Sequence, residues 1–215
     1  MENGRPSVLA RVDHLVYATR DLQQSVADLE RQLGSRATPG GQHPDRGTRN
    51  ALFPLGPRCY LEIVGPDPQQ PAPPHHRWFE VDTVRQPRLV TWAANATRLE
   101  ELADQARRTG VRLGPVISGT RTRPDGTSLH WQFTDPATVV GDGLVPFLID
   151  WGDSPHPADT GTPSCTLVDL RAEHPDADAI GRMVSALDLG LPVARGPEPA
   201  LIATLKTAKG RLELR

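Results

Sequence analysis

A chain of 215 residues can bury a full hydrophobic core, so neither disulfides nor a structural metal is needed to hold it together. Its 24 basic and 26 acidic side chains leave a formal charge of −2, which argues against nucleic acid or an anionic membrane as a partner. Two cysteines, Cys59 and Cys165, are too few for a disulfide framework, and no C-x-x-C pair points to zinc.

No apolar signal-peptide core follows residues 1–6, and no window is apolar for long enough to cross a bilayer, so a cytoplasmic protein is expected. Lysine occurs at Lys206 and Lys209 alone, beside 22 prolines, a bias that fits GC-rich, bacterial-type coding and carries no function. Residues 8–19 read as a strand, with Val12, His14, Val16 and Ala18 alternating against Asp13, Leu15 and Tyr17. Asp21 offers an N-cap to a helix over 22–33, which Gly34 closes. A loop at Gly40-Gly41, an apolar strand over 50–55, a turn at Gly56-Pro57 and a strand over 59–64 complete a β-α-β-β-β order. This first module spans 8–65.

Prolines at 66, 68, 71, 73 and 74 make 66–87 a connector and not a central strand. The order then repeats over 88–152, with strands at 89–93, 111–116, 128–134 and 146–151 and a helix over 98–108 capped by Thr97 and closed by Gly110. After a Gly/Pro/Ser linker at 152–164, a shorter third round covers 164–215, either another repeat or a different α+β appendage. The expected fold is α+β, with paired βαβββ units whose curved sheets close on each other as a cup. No phosphate-cradling glycine loop and no G-x-S-x-G turn occur, so nucleotide cofactors and serine hydrolysis have no support.

The strings Asp13-His14-Leu15-Val16-Tyr17, Gly41-Gln42-His43, Gly47-Thr48-Arg49-Asn50-Ala51-Leu52 and Tyr60-Leu61-Glu62-Ile63 stand in this order and spacing. Here the chain resembles the glyoxalase-like domain family of the vicinal oxygen chelate superfamily, over residues 9–190. The resemblance implies an open barrel of paired modules with flanking helices, and a divalent metal ion bound by His14 and Glu62 from the first module. An imidazole nitrogen and a carboxylate oxygen suit such an ion, with open positions left for a substrate to chelate. The second module would complete the set through Asp150. Glu62 precedes Gly65 by three positions and Asp150 precedes Gly152 by two, however, so simple alternation turns the two acids to opposite faces unless a bulge intervenes. His130 is a substitute ligand or a surface histidine.

Each candidate also has a structural reading. His14 is either a ligand or a satisfied core histidine, and Glu62 either a catalytic and metal-binding acid or a hydrogen-bonded one at a sheet edge. His43, between glycines, suits general acid–base work or holds a loop carbonyl. Asn50 orients a substrate carbonyl or fixes the loop backbone. Arg121 and Arg123 precede a Pro-Asp-Gly turn and clamp a substrate anion or form a charged edge. Trp131, with Trp92 and Trp151, lines the cup or fills the core.

The resemblance, carried by these residues, implies two alternative functions. One is a divalent-metal-dependent lyase, isomerase or dioxygenase acting on a small oxygenated molecule. The alternative is a non-catalytic protein that sequesters a small molecule in the same cup. A third possibility makes roughly the last 50 residues a dimerisation module for a homodimer, which describes assembly and leaves the activity open.

Overall fold

The computed structural model describes residues 7–43, 46–74, 76–122, 126–160, 163 and 165–215. The first module comprises β1 (Val12–Ala18), α1 (Leu22–Leu33), β2 (Thr38–His43), β3 (Thr48–Gly56) and β4 (Cys59–Pro66). The second comprises β5 (Arg88–Asn95), α2 (Leu99–Arg108), β6 (Val116–Thr122), β7 (Ser128–Thr134) and β8 (Phe147–Asp150). The third carries β9 (Cys165–His174), α3 (Ala177–Ala186), β10 (Val193–Arg195), β11 (Ala200–Thr207) and β12 (Gly210–Leu214).

The first two modules share one eight-stranded sheet in the order β2-β3-β4-β1-β5-β8-β7-β6. Within each module the first strand pairs in parallel with the last, and the modules join through antiparallel β1 and β5. The sheet curls until its edges approach: a Cβ on Gly41 of β2 would collide with the side chain of Arg121 on β6. This is the cupped α+β sheet that the repeated element order implies. On the outer face Leu15 and Trp92 pack with Leu29 and Leu33 of α1 and Leu99 and Ala106 of α2. Trp92 is fully buried and donates Nε1–H to the Leu144 carbonyl at 2.9 Å, so it belongs to the core and not to the cup.

Capping follows the sequence at α1: Asp21 accepts from the Gln24 N–H, and Gly34 takes the left-handed conformation at φ 70°. At α2 the N-cap is Arg98, at φ 55° and without a side-chain cap, in place of Thr97. The strand expected at 111–116 begins at Val116, because Gly114 is pressed against the Asp135 backbone and Pro115 withholds a donor. Gly40-Gly41 lies inside β2, beside a bulge between Pro39 and Gln42. A Cβ on Gly40 would overlap the Asn50 side chain, so the glycines serve close approach and not a loop.

The third module repeats the element order and changes the pairing. Its sheet runs β10-β9-β11-β12, with β9 between a parallel β10 and an antiparallel β11. It packs on the outer face, where Leu167, Leu170 and Leu205 continue the barrel's core and the Arg215 carbonyl accepts from the Leu89 N–H at 2.8 Å. Among the described residues no helix is long and apolar enough to cross a membrane.

Candidate functional site

The cup encloses about 490 Å³, within the usual range of small-molecule sites. Its polar end is built from the first module. The parallel register sets His14 beside Tyr60, and their rings stack at 4.6 Å. Glu62 lies two residues beyond Tyr60 and therefore shares its face. Its Oε2 is 3.7 Å from His14 Nε2, and its Oε1 accepts from Asn50 Nδ2 at 2.5 Å. Asn50 Oδ1 accepts the Gly41 N–H at 2.7 Å, which ties β2 to the acid, while Asn50 Nδ2 also lies 3.2 Å from His43 Nε2. His43 Nδ1 meets Thr48 Oγ1 at 2.8 Å, and its Nε2 stands 3.7 Å from Glu62 Oε1. His14, His43, Asn50 and Glu62 thus form one cluster at the cup wall.

Behind His14 lies a group that the alternation argument missed. A bulge between Val12 and His14 puts Val12 in the outer core and breaks the strict alternation, so that Asp13 Oδ1 meets His14 Nδ1 at 2.7 Å. Asp13 Oδ2 accepts from Trp151 Nε1 at 3.0 Å and lies 3.1 Å from Nε2 of His156, which has no exposed surface. Burial pushes the Asp13 carboxyl upward, but its hydrogen bonds to His14 and His156 outweigh this and hold it below the ordinary range. At His43, burial lowers the imidazole pKa, opposed by the Glu62 charge and assisted by Arg121 and His14. Burial, with Asp13 and Glu62 nearby, drives the Tyr60 phenol well above its usual value, which keeps it neutral.

The opposite wall is aromatic. Trp131, Phe133, Phe147 and Trp151 face in from the second module, and Trp78 and Phe79 come from the connector. The connector is tied to both modules: Trp78 Nε1 donates to Asp135 Oδ1 at 3.2 Å, and Arg77 Nε donates to the Gly47 carbonyl at 2.8 Å. Phe79 holds φ 62° and Glu80 φ 56°, a left-handed pair that is strained for non-glycine residues and turns the chain at the rim. The Arg46 guanidinium lies 4.1 Å over the Trp78 ring. Arg121 lines the cup from β6; Arg123, Pro124 and Asp125 lie outside the described residues.

Asp150 does not line the cup. Phe147, Ile149 and Trp151 take the inward positions of β8, and Asp150 Oδ1 accepts the Gly152 N–H at 2.9 Å on the other face. His130 is exposed, outside the cup, and its N–H donates to Ser154 Oγ. The fit to a metal can then be tested on the donors. Among the described residues no three His, Cys, Asp or Glu side chains are grouped to hold an ion. The inward positions of β7 and β8 carry aromatic and aliphatic side chains where the scheme needs ligands from the second module. The residues present do not fit a chelate shared between modules.

Sequence reasoning also missed His156, Tyr60, Trp78 and Phe79. Tyr60 had a usable signal, since it stands two residues before Glu62 on the same strand face; the others arrive from segments with no periodic pattern.

The model of one protein family, described as a glyoxalase-like domain, matches residues 12–187. The curated proteins give no match. Among solved structures, a hypothetical protein from Staphylococcus aureus is 13% identical over 93% of this chain and 91% of its own, with a TM-score of 0.66, a likeness of fold. Methylmalonyl-CoA epimerase from Mycobacterium tuberculosis is 18% identical over 70% of this chain and 94% of its own, with a TM-score of 0.43, too low to carry an argument.

Proposed function

The chain belongs to the glyoxalase-like domain family, and we propose that its cup is an active site that moves a proton on a small oxygen-bearing molecule with an apolar body. One observation carries the reading: Glu62 Oε2 and His14 Nε2 face each other across 3.7 Å at the polar end of an aromatic cup. The other heteroatom of each is engaged, by Asn50 and by Asp13. A carboxylate and an imidazole held this way are a general acid–base pair, which supplies roughly 10²–10⁴-fold in rate. Glu62 takes a proton from carbon or hydroxyl beside the substrate oxygen, and His14 returns or relays it. His43, kept neutral by burial, and Asn50 fix the position of Glu62. Arg121 steadies negative charge that develops on the substrate, and Trp131 with the aromatic wall holds the apolar body. Among isomerase, lyase and dioxygenase chemistry, isomerisation is what such a pair performs by proton movement alone; in a lyase reaction it would supply the proton abstraction that precedes departure of the leaving group. No step passes through a divalent ion.

The six aromatic side chains of the wall, from Trp78, Phe79, Trp131, Phe133, Phe147 and Trp151, favour sequestration as a second reading. Burying Glu62 in the cup opposite that wall costs stability, and passive capture has no need of it. A thermal-shift screen of small oxygenated molecules, followed by incubation of each binder in D₂O, separates the two. Deuterium entering a bound molecule supports proton transfer; binders that all return unlabelled leave sequestration.

A further inference from the structure

We infer that Asp13, clamped by Trp151 and His156, is a positioning residue that holds His14 in the tautomer whose Nε2 lone pair faces Glu62. This deepens the proton-transfer reading and takes its functional meaning from it. The Trp151 indole N–H can only donate, and it lies 3.0 Å from Asp13 Oδ2. The Ala158 N–H donates to His156 Nδ1 at 3.1 Å, so the ring proton of a neutral His156 sits on Nε2, 3.1 Å from the same Oδ2. With two donors on Oδ2 and a third nitrogen 2.7 Å from Oδ1, the carboxylate is held ionised and accepts only. His14 Nδ1 must then carry its hydrogen, which leaves the lone pair on Nε2.

The ring plane is fixed as well, by the stack on Tyr60 at 4.6 Å and the edge contact with Phe147 at 5.4 Å. The clamp joins distant parts of the chain, with Trp151 and His156 standing 138 and 143 positions beyond Asp13. The segment leading to the third module therefore completes the site, since it delivers His156 to Asp13 and Pro157 to the cup wall.

The test reads the imidazole nitrogens of the full chain labelled with nitrogen-15 histidine, at a mildly alkaline pH, with the His14 signals assigned by their loss in His14→Gln. Wild type is expected to show a protonated Nδ1 and an unprotonated Nε2 at His14. In Asp13→Asn the amide oxygen must turn to the two donors, so its NH₂ faces His14 Nδ1 and the pattern inverts. His156→Gln and His156→Leu both leave the Trp151 indole N–H on Oδ2 and an accepting carboxylate at His14 Nδ1, so both keep the wild-type pattern. A proton on His14 Nε2 in wild type or in either folded His156 variant, or an unchanged pattern in folded Asp13→Asn, overturns the inference. Should Asp13→Asn fail to fold, the wild-type and His156 spectra decide. No turnover is read: the expected tautomer in a protein that exchanges no substrate proton sinks the proton-transfer reading and leaves the clamp, and an inverted tautomer in an active protein does the reverse.

Discussion

Asn50 is the side chain on which the polar end of the cup depends, and its removal has a magnitude that follows from its bonds. Asn50→Ala deletes a bond to the Glu62 carboxylate and strands the Gly41 N–H. A hydrogen bond to a charged group is worth about 1.5–3 kcal/mol and a neutral one about 1 kcal/mol, so the loss should be roughly 2.5–4 kcal/mol. Glu62→Ala alone removes the acid and leaves the Asn50 amide without that acceptor. In the double variant the partner lost by each single change is already gone, so the cycle should show a coupling of about 2 kcal/mol. Urea unfolding of the four proteins, with the slope checked for constancy, measures it. Coupling within about 0.5 kcal/mol of zero would mean that the Asn50–Glu62 bond does not hold the site together.

Three further outcomes follow from the same geometry. Because the folded pKa of His43 lies below its unfolded value near 6.5, the unfolded chain binds the extra proton as pH falls below that value. Stability should therefore decline below about pH 6.5, and His43→Gln should decline less over that window in parallel denaturant titrations; equal slopes would refute the burial of a neutral ring. Trp131→Ala removes an aromatic side chain from the cup wall that also packs on Trp151 and Phe133, so it should weaken ligand binding measured by calorimetry and lower Tm as well. Chelation with EDTA should leave deuterium exchange unchanged, and exchange that disappears and returns with one added divalent ion would contradict the donor count.

Much of the architecture is legible in local pattern, and what is not has identifiable physical causes. Asp21, Gly34 and the run Cys59 to Val64 announce themselves through capping and apolar alternation, because these depend on near neighbours. His14, His43, Asn50 and Glu62 were grouped by motif, and the registers of β1, β3 and β4 show how they meet. The Asp13 bulge was invisible, since one extra residue breaks the alternation without altering composition. His156 and Trp78 were unreadable for another reason. Each comes from a proline-rich or linker segment, and its role depends on chain closure over a long separation. Asp150 shows the converse: the two-residue spacing to Gly152 already turned it away from the face of Glu62, and the inward Phe147, Ile149 and Trp151 occupy that side.

The direct trial of the central claim is the rate at which Glu62→Gln exchanges deuterium into a bound molecule, measured beside its affinity for the same molecule. The amide still accepts from Asn50 but cannot take a proton, so exchange should fall roughly 10²–10⁴-fold with affinity nearly unchanged. Exchange at the wild-type rate in Glu62→Gln would contradict the claim that Glu62 moves the proton.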